Sequence, residues 1–393
     1  MSRPLRGLRR MRNSAHTAAA LNGASLRRIA AMDRPAYQDP VRLSLKQVLP
    51  EAVVLGADDL RISGVCEHSS QCGPGKLFAV VSGRRHSGAD FLVDALSRGV
   101  AGLLVPRPLP EVGVPQCIVP DVRSAYARLC AALAGDPGKS VQIAGITGTN
   151  GKTTVTWMVR SILAAAGHRC GVLGTVEYFD GVRAESARLT TPDSLTLSEW
   201  FARMKALATP FAAIELSSHA LHQGRATGTP LAVAAVTNVT QDHFDYHGDY
   251  NAYWNSKARI FELVAAGGVA ALNLDDRGSS AMRERLPSAL RVVTFGLSPA
   301  AEVTAQLLEE ALSGTRFRLS IGGVSQECAV TLVGRHNISN CLAAATAATA
   351  LGVSIREIVA GLERFRGAPG RLERIDAGQP FQVFVDYAHT DDA

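Results

Sequence analysis

Residues 145–153 read Gly-Ile-Thr-Gly-Thr-Asn-Gly-Lys-Thr, a spacing of residue types that can hold a chain of phosphates. The glycines let backbone N–H groups turn toward phosphate oxygens, a lysine just behind them reaches the β and γ phosphates, and a hydroxyl after it can ligate Mg²⁺. Position 146 is Ile, so the strict Gly-x-x-x-x-Gly-Lys-Ser/Thr spelling fails by one residue. The context still fits, because the apolar run VQIAGIT precedes the loop and the helix-like run TTVTWMVRSILAAAG follows it. Gly148, Thr149, Asn150, Gly151, Lys152, Thr153 and Thr154 are therefore the candidate nucleotide contacts. A phosphate loop alone does not separate a GTPase, a kinase, a motor and a ligase.

Two downstream clusters narrow the chemistry. The run FAAIEL ends in Glu215, followed by Ser217, Ser218 and His219, which places a carboxylate and hydroxyls where parallel sheets bind ligands. Glu215 is a candidate metal ligand. The next run, LAVAAVTNV, enters residues 237–248 with Asp242, His243, Asp245 and His247. Zinc-type helical His spacing is absent, and hard carboxylate oxygens suit Mg²⁺, with one histidine as an extra ligand or orienting group. His247 reads equally well as structural.

These loops need a scaffold, and the apolar runs supply one. Residues 42–137 alternate short runs such as LFAVVSG and AGLLVP with helix-like FLVDALSRG, closing at the turn-forming Gly135-Asp136-Pro137-Gly138. Residues 138–370 repeat the rhythm on a larger scale, and near-continuous apolar strands between helices predict a mostly parallel sheet covered on both faces. An alanine-rich helix is expected from 337 to about 351, stopped by Gly352. Residues 371–393 offer one strand, FQVFVDYA, too little for a domain core. The fold class is α/β: a small N-terminal α/β domain, a central phosphate-loop domain and the start of a third, Rossmann-like one.

Composition excludes several classes. The total charge is +6, but residues 1–34 hold eight arginines against Asp33, a local +7 that leaves the remainder near −1. The globular part is not basic, so no nucleic-acid partner is implied. Residues 1–41 read as a disordered extension, or as following a start placed too early, with Met32 as an alternative first residue. No run of about 18 apolar residues predicts membrane insertion. Seven scattered cysteines without a C-x-x-C pair predict mostly buried, reduced thiols in a cytoplasmic protein.

The runs ITGTNGKTTV, IELSSHAL, TNVTQDHFDYHG with Lys257 shortly after, GRHNISN and VDYAHT, in this order, resemble the Mur ligases of peptidoglycan synthesis. LTTPDSLTL, SSHAL with Gln223 and Arg225, and DYAHT are most similar to the members that add the third peptide residue. The resemblance covers about 60 to 390. It implies a monomeric ATP-dependent ligase that phosphorylates the D-Glu carboxylate of UDP-MurNAc-L-Ala-D-Glu and passes the acyl phosphate to a diamino acid, with two Mg²⁺ ions. It places Lys152, Lys257 and His243 at the catalytic centre, with Thr153, Glu215, His243 and Lys257 around the metals. Lys257 matches the lysine that CO₂ carbamylates. Arg335 and Asn337 match adenine contacts, and Asp386 approaches the ribose. Ser69, Arg84, Arg85, His86, Thr190, Thr191, Ser217, Gln223 and Arg225 match contacts to the UDP-muramoyl-peptide.

Departures from the family pattern are informative. His68-Ser69-Ser70 stands where Asp-Ser-Arg is usual, and Leu189 replaces a common Asn. The Asp-Asn-Pro-Arg motif that selects the incoming amino acid is expected beyond Ala393, leaving meso-diaminopimelate and lysine both open. This 393-residue chain is accordingly expected to have little ligase activity by itself. A non-catalytic binder of nucleotide and UDP-muramoyl-peptide is one alternative, and another Mur-type or folylpolyglutamate-type ligase is the other. Thr190-Thr191-Pro192-Asp193 and Asp386-Tyr387-Ala388-His389 argue against the second.

Overall fold

Runs of β-formers between 53 and 118 pair into a five-stranded sheet in the order Val53–Leu55, Gln116–Ile118, Gly102–Val105, Lys76–Ala79, Gly64–Cys66. The last four are parallel and the Val53–Leu55 edge is antiparallel. Helix Val122–Leu133 packs with Leu45, Leu77 and Leu104 on one face, and Leu92–Ser97 with Phe78 and Leu103 on the other. This computed structural model describes residues 42–83 and 87–388. Arg84, Arg85 and His86, the basic 1–41 segment and His389 lie outside the described residues.

A second sheet of eleven strands is built around Gln142–Thr147, the strand that feeds the phosphate loop. Cys170–Leu173, Phe211–Glu215, Gln142–Thr147, Leu231–Val236, Val264–Asn273 and Arg291–Gly296 lie side by side, all parallel. From Gln142–Thr147 the chain first builds toward Cys170–Leu173, then crosses to Leu231–Val236 on the opposite side. That reversal puts a topological switch point at the carboxyl end of the phosphate-loop strand, where such sheets leave a crevice for ligand.

Helices cover both faces. Lys152–Ala165, Arg335–Ala350 and Ile355–Arg364 bury one, with Met158, Ile162, Leu342 and Leu362 in its core. Ser194–Ala206 and Tyr250–Ala258 cover the other, around Trp200, Phe201 and Tyr253. Close packing depends on small residues. A Cβ at Gly361 would lie 2.3 Å from the Ile162 backbone, so glycine is what lets Ile355–Arg364 approach Lys152–Ala165. The alanine helix runs Arg335–Ala350, and Gly352 follows at φ +87°, as the sequence pattern predicts.

The expected strand-then-helix rhythm fails between 303 and 330. There Val303–Ala311, Gly314–Ile321 and Val324–Val330 form an antiparallel meander on the sheet edge. In Gly314–Ile321, Phe317 and Leu319 face the core while Arg316 and Arg318 pair outward with Glu309 and Glu327. This period-two alternation marks a half-solvated sheet. Among the described residues no helix is long and apolar enough to cross a membrane.

Candidate active site

The phosphate loop is anchored from three directions. Thr149 N donates to the Asn238 carbonyl at 2.9 Å, Asn150 N to Asn238 Oδ1 at 2.9 Å, and Thr237 Oγ1 to the Asn150 carbonyl at 2.6 Å. The Thr149 hydroxyl meets Tyr253 OH at 3.0 Å. Gly148 has φ +151° and no room for a side chain, since a Cβ would fall 1.9 Å from Thr237 Oγ1. We expect Gly148→Ala to cost about 3 kcal/mol, measured by urea unfolding, because it combines backbone strain with a contact the buried threonine cannot escape. An unchanged midpoint would refute this.

Gly151, at φ +85°, starts helix Lys152–Ala165 and sits against Asn340 Oδ1. Asn340 Nδ2 donates to Asn337 Oδ1 at 3.2 Å, so the buried Asn337 is wired to the loop through one intermediary. Lys152 turns back over the loop, its Nζ donating to the carbonyls of Gly148 at 2.9 Å and Thr149 at 2.8 Å. Burial lowers its pKa, opposed by the charges of Glu215 and Asp242.

Glu215 ends its strand wholly buried. Its carboxylate accepts from Thr175 N at 2.8 Å, Thr175 Oγ1 at 2.9 Å and Thr153 Oγ1 at 2.9 Å. Burial raises its pKa, and those donors together with Lys152 oppose the rise. Thr153 and Glu215 thus put two hard oxygen donors side by side at the foot of the loop, a pair suited to Mg²⁺.

Lys257 projects from helix Tyr250–Ala258 with 1% exposure, its Nζ 2.6 Å from the Gly148 carbonyl. Burial, with Lys152 nearby, drives its pKa well below 10.5. His243 stands in left-handed conformation, its Nε2 3.3 Å from Asp242 Oδ2, and its ring crosses His219 edge-on at 4.8 Å. His247 packs against Tyr253, and burial lowers its pKa to about 4. Among the described residues no three His, Cys, Asp or Glu side chains converge in metal-binding geometry. Thr153, Lys152, Lys257 and His243 line one cleft of about 260 Å³.

The residues expected to meet the peptide form a hydrogen-bonded chain that begins at Glu215. Thr191 Oγ1 donates to the Glu215 carbonyl at 2.7 Å and accepts from Ser217 N at 3.0 Å. Arg225 reaches the Thr191 carbonyl at 3.0 Å and Gln223 Oε1 at 2.9 Å. Thr190 stands beside Thr175, 3.2 Å between hydroxyls, and opens into the phosphate-loop cleft with Ser217. Arg225 and Gln223 face a second pocket of about 270 Å³, which is also lined by Glu67 and His68 from the loop after Gly64–Cys66 and by Arg123 and Tyr126 of helix Val122–Leu133.

Ser69, Asp386 and Arg335 are among the expected residues that line neither pocket. Ser69 lies beside Asp94, and its loop presents Glu67 and His68 to the second pocket. Asp386 accepts from Leu372 N and Ala388 N, both at 2.6 Å, and its neighbours Arg371 and Tyr387 line the cleft across the loop. Arg335 is exposed at the start of its helix. Sequence reading missed Thr175, Tyr253 and Asn340. Tyr253 stood four residues before Lys257 and Asn340 closes the quoted run GRHNISN, while Thr175 carried no signal.

Residues 146–348 match the family model described as the Mur ligase middle domain. The chain is similar, at 39% identity over 350 residues, to a Geobacillus kaustophilus protein named UDP-N-acetylmuramoyl-L-alanyl-D-glutamate--2,6-diaminopimelate ligase, over 88% of this chain and 69% of that protein. A protein of the same name from Geobacillus thermodenitrificans is 39% identical over 326 residues, 81% of this chain and 66% of its own length. A solved structure of a protein of that name superimposes with a TM-score of 0.76 at 28% identity, covering 89% of this chain and 72% of the other. The chain thus spans about two thirds of the length of these relatives.

Proposed function

This chain belongs to the Mur ligase family, and on that premise we propose that it serves the ATP-dependent joining of 2,6-diaminopimelate to the D-Glu carboxylate of UDP-MurNAc-L-Ala-D-Glu. Members of the family are ATP-dependent ligases that form peptide bonds and use Mg²⁺. The observation that carries the reading is the double engagement of Glu215. Its carboxylate joins the phosphate loop through Thr153, and its backbone carbonyl holds Thr191 at the head of the chain leading to Arg225. A γ-phosphate over the loop and a peptide carboxylate held by that chain would meet at this strand end.

In that arrangement a carboxylate oxygen attacks the γ-phosphorus and ADP leaves, giving an acyl phosphate. The amine of the incoming residue then adds to the acyl carbon, and the tetrahedral adduct expels phosphate. Lys152 neutralises charge on the transferring phosphoryl group, and catalysis is chiefly positioning. Two Mg²⁺ ions, when bound, would add charge neutralisation. Thr153 and Glu215 would hold one, and His243 with a carbamylated Lys257 the other. Asn337 and Arg335 would contact adenine and Asp386 the ribose. The 42–137 portion, with Ser69, Arg84, Arg85 and His86, would hold the uridine-diphosphate end. This reading has a cytoplasmic monomer with no nucleic-acid partner.

Titration calorimetry tests it. UDP-MurNAc-L-Ala-D-Glu is expected to bind, the corresponding tripeptide more weakly and folate not at all; preference for either competitor would sink the proposal. Arg225→Met is expected to weaken dipeptide binding about tenfold or more while leaving MgATP affinity within about twofold, because it removes a partly buried cation facing only the second pocket.

A further inference from the structure

Cys66 and Cys72 carry chemistry that the ligase reading does not use. They are six residues apart, yet their sulfurs lie 3.2 Å from each other. Cys66 ends strand Gly64–Cys66 and is buried, while Cys72 follows the turn Ser69–Gln71 and is partly open to solvent. Between them runs the loop that presents Glu67 and His68 to the second pocket, opposite Gln223 and Arg225. Closing the gap to a covalent bond of about 2.05 Å needs only about 1 Å of travel.

We propose that Cys66 and Cys72 form a dithiol–disulfide couple whose oxidation fixes the 67–71 loop and retunes the pocket it walls. Its effect on substrate rests on the function proposed above; the couple itself does not. The partly exposed Cys72 thiolate attacks a low-molecular-weight disulfide, forming a mixed disulfide and releasing one thiolate. Cys66 then attacks the Cys72 sulfur and expels the second. Two electrons pass from the cysteines to the small disulfide, and the two cysteine protons end on the released thiols.

The surroundings set the rate. Burial pushes the Cys66 thiol up to about 12 and raises Cys72 as well, so the pair rests as thiols near neutral pH. The Lys76 ammonium opposes both shifts and is tied into the same loop, donating to the Gln71 carbonyl at 2.7 Å. Oxidation is therefore expected to be slow at neutral pH and faster in alkali.

Incubating the full chain with glutathione disulfide at mildly alkaline pH tests the couple. Peptide mass mapping is expected to show a Cys66–Cys72 cross-link that dithiothreitol removes, and amide exchange across 67–75 is expected to slow about threefold or more. Cys66→Ser and Cys72→Ser should each lose both effects. Only glutathione adducts, or a cross-link without slower exchange, would overturn the proposal. The affinity of UDP-MurNAc-L-Ala-D-Glu is expected to differ about threefold or more between the two redox forms. Equal affinities would overturn the retuning. Failure of the reduced protein to bind UDP-MurNAc-L-Ala-D-Glu would instead count against the function proposed for this site, with cross-linking and exchange still deciding the couple.

Discussion

Lys152→Met is expected to weaken MgATP binding about 100-fold, equivalent to about 3 kcal/mol, while folding stability moves by about 1 kcal/mol or less. The two effects separate because of where the ammonium rests. Without nucleotide it is partly buried, donating to the Gly148 and Thr149 carbonyls and drawn by Glu215 and Asp242. Removing it relieves a desolvated charge, which offsets the two lost hydrogen bonds, and Glu215 keeps its donors on Thr153 and Thr175. With nucleotide the same group would face phosphates in a water-poor cleft, where a charge-assisted bond is worth most. Titration with MgATP beside urea unfolding reads both quantities. Binding within about threefold of the parent would show that Lys152 does not reach the phosphates. Lys152→Arg is expected to fail nearly as badly, since a planar fork cannot fold back onto two carbonyls as a point charge does.

Much of this centre was legible because its chemistry is local. Gly148, Gly151, Lys152 and Thr153 lie within six residues, and backbone sterics alone demand glycine at the first two positions. Glu215 and Asp242 follow apolar strands, so their place at the carboxyl edge of a parallel sheet follows from strand polarity. What stayed hidden depends on partners distant in sequence. Asn340 matters because its amide lies against Gly151, and Thr175 because its backbone and side chain both serve Glu215. The Cys66–Cys72 contact was hidden for a different reason. The spacing is short, but only a turn at Ser69–Gln71 brings the sulfurs together. The 303–330 meander was missed because its strands face solvent on one side and alternate, while the continuous apolar runs elsewhere drew the reading toward parallel pairing.

In the proposed function Lys257 is carbamylated, and the nearness of two lysines favours that change. Its Nζ meets the same Gly148 carbonyl as Lys152, and a buried ammonium beside a partly buried one would repel it and the metal as well. Burial favours the neutral amine. A neutral amine can add to CO₂, losing one proton to give a carbamate, and in the proposed function that would turn Lys257 into an anionic metal ligand. We expect bicarbonate to raise Mg²⁺ affinity of the ATP-bound chain about tenfold or more over CO₂-free buffer, and Lys257→Met to abolish that response.

The pH dependence gives an independent check in CO₂-free buffer. Between the depressed folded pKa and 10.5 the unfolded chain holds a proton on Lys257 that the folded chain lacks. Stability therefore rises with pH across that window and is lower beneath it. Lys257→Met is expected to flatten the rise, leaving the smaller slope contributed by Lys152, whose pKa is also lowered. Equal slopes in parent and variant would mean that Lys257 stays charged in the folded protein, and the carbamate would then lose its chemical basis.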